Sequence, residues 1–213
     1  MNKMKALLLA GTFLVGMAGA LAQPPAGTQA GSPPNAQPTA RIRGAVTGFD
    51  GQELQVKTRD GKAVKMTLSD TAKINVLSPL DMSDIKQGSF VGVTAVLRSG
   101  ALQALEVHVF PEAMRGTGEG HYDWDLTPGS TMTNANVDAI VATNNGEKLT
   151  LTYKGGTQEI VVPKHTPIIT FTPADKSLLK PGAQVFVIAQ PATDGSLTAL
   201  RILVGKAGMR PPM

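Results

Sequence analysis

Gln52-Glu53-Leu54-Gln55-Val56-Lys57-Thr58 alternates polar and apolar side chains, and Val64, Met66 and Leu68 continue the alternation after Asp60-Gly61. A period of two puts one set of side chains on a buried face and the other in water, which is the pattern of a half-buried β-strand. Asp50-Gly51, Asp60-Gly61 and Ser99-Gly100 separate the alternating runs. Glycine accepts the positive φ of a tight turn, so each pair marks a hairpin. The segment 41–110 therefore reads as about six strands, near 41–48, 52–58, 62–68, 72–77, 89–97 and 101–110. The alternation lapses from Pro79 to Gln87, where Asp81-Met82-Ser83-Asp84-Ile85 suits a helical turn capped by Ser78 or Asp81.

The second half repeats this pattern. Gly51-Gln52-Glu53-Leu54 matches Gly146-Glu147-Lys148-Leu149, and Ile85-Lys86-Gln87-Gly88 matches Leu179-Lys180-Pro181-Gly182. Gly100-Ala101-Leu102-Gln103-Ala104-Leu105 matches Gly195-Ser196-Leu197-Thr198-Ala199-Leu200, all at an offset of 94 or 95 residues. An offset held across turns and strands alike is the mark of a duplication. The expected fold is all-β: two tandem small OB-like β-barrels from an internal duplication, joined by an ordered connector. Copy 1 spans 41–110, the connector 111–135 and copy 2 136–206, with 207–213 a flexible tail. The expected cores hold Leu54, Val56, Val91, Val93, Leu105 and Val107, with Leu149, Leu151, Val185, Val187, Leu200 and Ile202 as counterparts.

Outside the repeats, residues 1–22 combine Lys3 and Lys5, an apolar run from Leu7 to Ala20, and the small residues of Ala20-Leu21-Ala22. That order is a secretory signal peptide, and the run is shorter than the ~20 residues of a membrane span. Residues 23–40 are rich in Pro, Ala and Gln and carry no charge, which predicts a disordered linker. The expected location is periplasmic or secreted, with no membrane span after cleavage. The formal charge of +4 falls to +2 once Lys3 and Lys5 are removed, and no basic block remains. A nucleic-acid footprint requires such a block, so no nucleic-acid partner is expected. The chain has no cysteine, which excludes thiol catalysis, disulfides and cysteine-based zinc sites.

Gly44-x-Val46, Gly51-x-x-Leu54-x-Val56-x-Thr58, Asp60-Gly61, Thr71, Ile85-Lys86-x-Gly88, Val91-x-Val93 and Ala104 before Glu106-Val107 form a pattern. It resembles a widespread bacterial family of secreted proteins whose domain of unknown function is similar to an OB-type β-barrel. Copy 2 shares Asn145-Gly146, Leu149, Thr166, Leu179, Gly182 and Ala199. The stretch from Phe110 to His121, with Trp124-Asp125-Leu126 and Gly129 to Ala135, resembles a proteobacterial envelope subgroup in which some members are labelled metal-transporter permeases. A permease needs several apolar spans, and this chain has no such segment after residue 22.

The connector is the segment richest in chemistry. Glu119, His121, Asp123 and Asp125 are candidate ligands for a divalent metal, since carboxylates and imidazole suit such ions; their spacing matches no zinc motif. Trp124, Tyr122 and Arg115 are candidate ligand contacts, with Trp124 expected to pack between the barrels. Glu106 and His108, two apart on the last strand of copy 1, are expected side by side on the exterior as an ion pair. His165 reads as a turn residue, and the methionines are dispersed along the sequence. No nucleophile elbow, His-Glu-x-x-His or phosphate loop occurs. The functional expectation is an exported, non-enzymatic binding or scaffolding protein of the cell envelope, its partner an envelope protein or a small ligand. The alternative is a soluble metal-binding accessory protein using His121, Asp123 and Asp125, with no other cofactor.

Overall fold

A computed structural model describes residues 39–211. The segment expected as a signal peptide and all but the end of the expected linker lie outside the described residues, and the first strand already begins at Ala40. Among the described residues the regular structure is twelve strands and four single 3₁₀ turns. The strands are β1 (Ala40–Phe49), β2 (Glu53–Thr58), β3 (Ala63–Leu80), β4 (Phe90–Arg98), β5 (Ala101–Val109) and β6 (Gly120–Asp123). They continue with β7 (Ser130–Thr143), β8 (Gly146–Tyr153), β9 (Gly156–Pro163), β10 (Ile168–Pro173), β11 (Gln184–Pro191) and β12 (Leu197–Gly205). Among the described residues no helix is long and apolar enough to cross a membrane.

The strands close into two rings. In ring one, β12, β11, β1, β2 and β3 pair antiparallel in that order, and a parallel contact between β3 and β12 closes the circle. In ring two, β5, β4, β7, β8 and β9 follow the same pattern. A short parallel contact, Leu102 to Ile160 and Gln103 to Val161, joins β5 to β9. Closure removes the open edges that invite aggregation. Leu54, Val56, Val185, Val187 and Ile202 fill ring one. Val91, Val93, Val107, Leu149 and Leu151 fill ring two.

The rings do not coincide with the repeats, so the division into barrels at 41–110 and 136–206 is corrected. Ring one takes β1–β3 from the first repeat and β11–β12 from the second. Ring two is the continuous stretch from β4 to β9. The reason lies in β3. Eighteen residues long, it extends about 60 Å at 3.3 Å per residue, too far for one small barrel. Its first part pairs with β2, and its last part pairs with β10 on the way to ring two. The two strands expected near 62–68 and 72–77 are thus one. The turn expected after Pro79 is present as Met82–Asp84. Asp81 sits at its N-cap, its backbone N–H donating to Asp84 Oδ2 at 2.8 Å.

Leu105 and Leu200 are also corrected. Pairing passes from Ala95–Ala104 to Thr94–Glu106, and from Ala189–Ala199 to Ile188–Arg201, so each leucine is the extra residue of a β-bulge. Both are half-buried, beside the core instead of inside it. A bulge shifts the face of every residue beyond it.

A third apolar cluster joins the rings: Leu77, Ile169, Phe171, Phe186 and Leu203, with Phe110, Met114, Trp124, Ile188 and Met209 against it. The segment expected as a flexible tail contributes here. Met209 packs on the cluster, and the buried Pro211 accepts a hydrogen bond from Arg59 Nη2 at 2.6 Å.

Candidate functional site

The connector is an ordered strap, and it disperses the residues singled out in it. Its strand β6 pairs with β7, so His121 and Asp123 face one side of the sheet while Tyr122 faces the other. His121 Nδ1 lies 2.8 Å from Thr133 Oγ1. Burial lowers the His121 pKa below the ordinary imidazole value, against the opposing charge of Asp123. Asp123 is exposed. Glu119 Oε1 accepts from the Lys154 backbone N–H at 2.9 Å. Asp125 receives both Arg43 nitrogens, at 2.8 and 3.2 Å, and lies 3.6 Å from Arg41. Burial would raise the Asp125 pKa, but the Arg43 hydrogen bond and the two guanidinium charges lower it on balance. Among the described residues no three His, Asp or Glu side chains converge as a metal set.

The three candidate ligand contacts are also engaged. Trp124 is half-buried, with the Arg41 guanidinium 4.0 Å above its ring and the Phe186 ring 6.5 Å away. Tyr122 Oη accepts from Asn134 Nδ2 at 3.0 Å, and burial raises its pKa. Arg115 donates to both Glu112 oxygens at 2.6 and 2.7 Å and to the Gly88 carbonyl at 3.0 Å. These contacts fasten the strap to both rings.

Beneath the strap lies an arrangement that the sequence did not announce. After the Leu105 bulge, Val107 points into ring two, so Glu106 and His108 point away from it, as expected. That outer face is not exterior. Glu106 is 0% exposed and His108 2%, with Thr94 against the carboxylate and Phe171 of β10 against the imidazole. The pair expected on the exterior is therefore corrected to a buried one, with His108 Nε2 2.9 Å from Glu106 Oε1.

Register places these residues in two adjacent rows across β6, β7, β4 and β5. One row is Tyr122, Met132, Thr94, Glu106; the other is Gly120, Asn134, Gly92, His108, continued by Ile169 of β10. Gly92 is required here. A Cβ on it would lie 2.5 Å from Asn134 Oδ1 and 3.0 Å from the Phe110 ring. Thr94 Oγ1 donates to Glu106 Oε1 at 2.9 Å and lies 4.0 Å from Met132 Sδ. His108 Nε2 is 2.9 Å from Glu106 Oε1 but makes no aligned hydrogen bond. Glu106 Oε2, Asn134 Oδ1 and Trp124 Nε1 are buried without a hydrogen-bond partner. The His108 ring meets Phe171 edge-on at 5.5 Å. Arg59 feels the Glu106 charge, while burial and the repulsion of Arg43 and Arg210 lower its pKa.

Ring one presents different chemistry to the seam. Phe186 stands at the position of Gly92 and Leu203 at that of His108, both in the apolar cluster. The polar half belongs to ring two alone. Buried polar groups are normally hydrogen-bonded, and each exception calls for a cause. Here a carboxylate and an imidazole stand side by side, with the Asn134 carboxamide in the same row as His108, across Gly92.

A cleft of about 390 Å³ opens elsewhere, where β3 ends beside β9 and β10. Its floor includes Leu80, Met82, Val162 and Ile168, and its rim Asp81, Glu147, Lys164 and His165. His165 is the turn residue expected, at φ 73°. It breaks the strand of copy 2 where copy 1 runs straight through Asp70-Thr71.

No family model, no curated protein and no solved structure matches this chain.

Proposed function

We propose that this is a non-enzymatic binding protein of the bacterial envelope, in which two OB-type barrels hold a ligand-recognising polar surface between them. Support for the barrel type comes from ring order. Numbered from β1 or β7, each ring runs first, second, third, fifth, fourth, and closes by a parallel contact between third and fifth. Support for export comes from the leader at residues 1–22. The observation that carries the reading is the polar double row of ring two, with partnerless Glu106 Oε2 and Asn134 Oδ1 under the strap. A purely structural seam would favour apolar side chains, as ring one supplies with Phe186 and Leu203, because unpaired buried polar groups cost ~1–3 kcal/mol each.

The test is an NMR titration of the mature protein with the small-molecule fraction of a periplasmic extract. The reading expects shifts at the Met132 methyl and the His108 imidazole. Shifts confined to the outer surfaces, or none, would count against it.

A further inference from the structure

Resting on that reading, we propose that the seam binds a divalent first-row transition-metal ion, copper foremost, through His108 Nε2, the Glu106 carboxylate and the Met132 thioether. Three observations converge. First, His108 Nε2 and Glu106 Oε1 are 2.9 Å apart without an aligned hydrogen bond between them. Two donor atoms each about 2.0–2.1 Å from one metal and set at about a right angle are separated by about 2.9 Å. The distance therefore suits two ligands of one ion better than it suits a hydrogen bond that is not formed.

Second, β4 carries only Gly92 and Thr94 between the flanking long side chains of these rows. Glu106 on β5 and Met132 on β7 can reach toward each other above Thr94, whose Oγ1 is 2.9 Å from one and 4.0 Å from the other. Third, the second carboxylate oxygen of Glu106 is fully buried without a partner.

The donor set selects the ion. Magnesium and calcium take oxygen ligands. Structural zinc takes four protein ligands and catalytic zinc three, more than the nitrogen and carboxylate donors here supply. Imidazole and carboxylate with a long thioether suit copper, which also stands highest among divalent ions in the affinity series. Arg59 opposes any cation here, and its guanidinium is held by the Pro211 carbonyl at 2.6 Å. Because the residues are buried, the ion enters during folding or when the strap lifts.

The full mature protein is given Cu²⁺ both after folding and during refolding, then chelated, desalted and measured by elemental analysis and electron paramagnetic resonance. The expected result is about one retained copper per chain with hyperfine coupling to a single nitrogen. His108→Gln and Glu106→Gln should each lower retention at least about tenfold, and Met132→Leu should change the spectrum. His121→Gln should leave retention intact. Wild-type protein that is folded by circular dichroism yet retains no copper under either protocol overturns the proposal, as does unchanged retention in His108→Gln. If His108→Gln does not fold, Glu106→Gln and Met132→Leu decide. Copper lost from the result while extract still shifts Met132 and His108 removes the metal and leaves the seam reading; loss of both removes both.

Discussion

Leu77 and Phe171 occupy equivalent positions of the two repeats, 94 residues apart, and stand directly opposite each other in the β3–β10 ladder. A residue paired with its own counterpart lies on a two-fold axis. The contact is isologous, the kind that joins two subunits of a homodimer, but here within one chain. Met114 and Met209, 95 residues apart, extend the symmetry, Met114 ending one 3₁₀ turn, Met209 following another, and both packed on the seam. The duplication is thus an intramolecular dimer whose halves exchange their last two barrel strands.

A protease site inserted between Gly116 and Thr117 and cut in the folded protein should leave both fragments together. Each ring holds strands from both sides of that cut. Gel filtration should show one species at the original elution volume, resolving into two only in denaturant. Fragments that separate under native conditions would disprove the exchanged pairing.

His108→Leu copies the residue that the second repeat carries at Leu203. Alone it removes the imidazole beside the buried Glu106 carboxylate, which keeps the Thr94 hydrogen bond and the charge of Arg59, so denaturant melts should show a loss of about 3 kcal/mol. Adding Glu106→Met should restore much of that loss, since well-packed apolar replacements of a buried pair are often neutral or better. A double variant no more stable than the single one would show that the pair contributes more than it costs.

Trp124 is the only tryptophan. Packed on Phe186 beneath Arg41, it should fluoresce to the blue of a water-exposed indole and resist iodide in part. Trp124→Ala should cost about 1.5–3 kcal/mol, the scale of burying one large side chain. Asp125→Ala should cost about 1 kcal/mol or less, as a partly exposed ion pair does, and should increase quenching by loosening the strap. Full quenching in the wild type would contradict the packing.

Burial lowers the His121 pKa, so the folded state favours the neutral ring. Its contribution to stability is complete above the unfolded-state value near 6.5 and falls away as pH drops below it toward the folded-state value. The wild type should therefore lose more melting temperature between pH 7.5 and pH 5 than His121→Asn does. Equal losses in the two proteins would place the pH dependence elsewhere.

Strand identity was legible because a half-buried strand writes its burial into alternation. Leu54, Val56, Val185 and Val187 are core residues as the pattern requires. The bulges at Leu105 and Leu200 were not legible, since an extra residue in one strand has no consequence until a partner strand lies beside it. The second hairpin is also longer. Val46 pairs with Val56, while Val137 pairs with Leu151, four residues further along. The offset near 95 therefore drops to 91 upstream of that turn. In the connector, composition pointed to a ligand set, but the pleat of β6 sent alternate side chains to opposite faces and the arginines of β1 took Asp125.

By itself the sequence determined the all-β class, most of the strands and their turns, because these follow from local periodicity and from glycine at tight turns. Which strands share a ring was decided only in three dimensions. Every repeat offers the same pairing edges, and the choice between its own last strands and its neighbour's depends on where the long β3 and the β10 segment carry the chain. The burial of Glu106 and His108 was decided there too. Alternation shows that two residues face away from one core, but only what packs against that outer face determines whether it meets water.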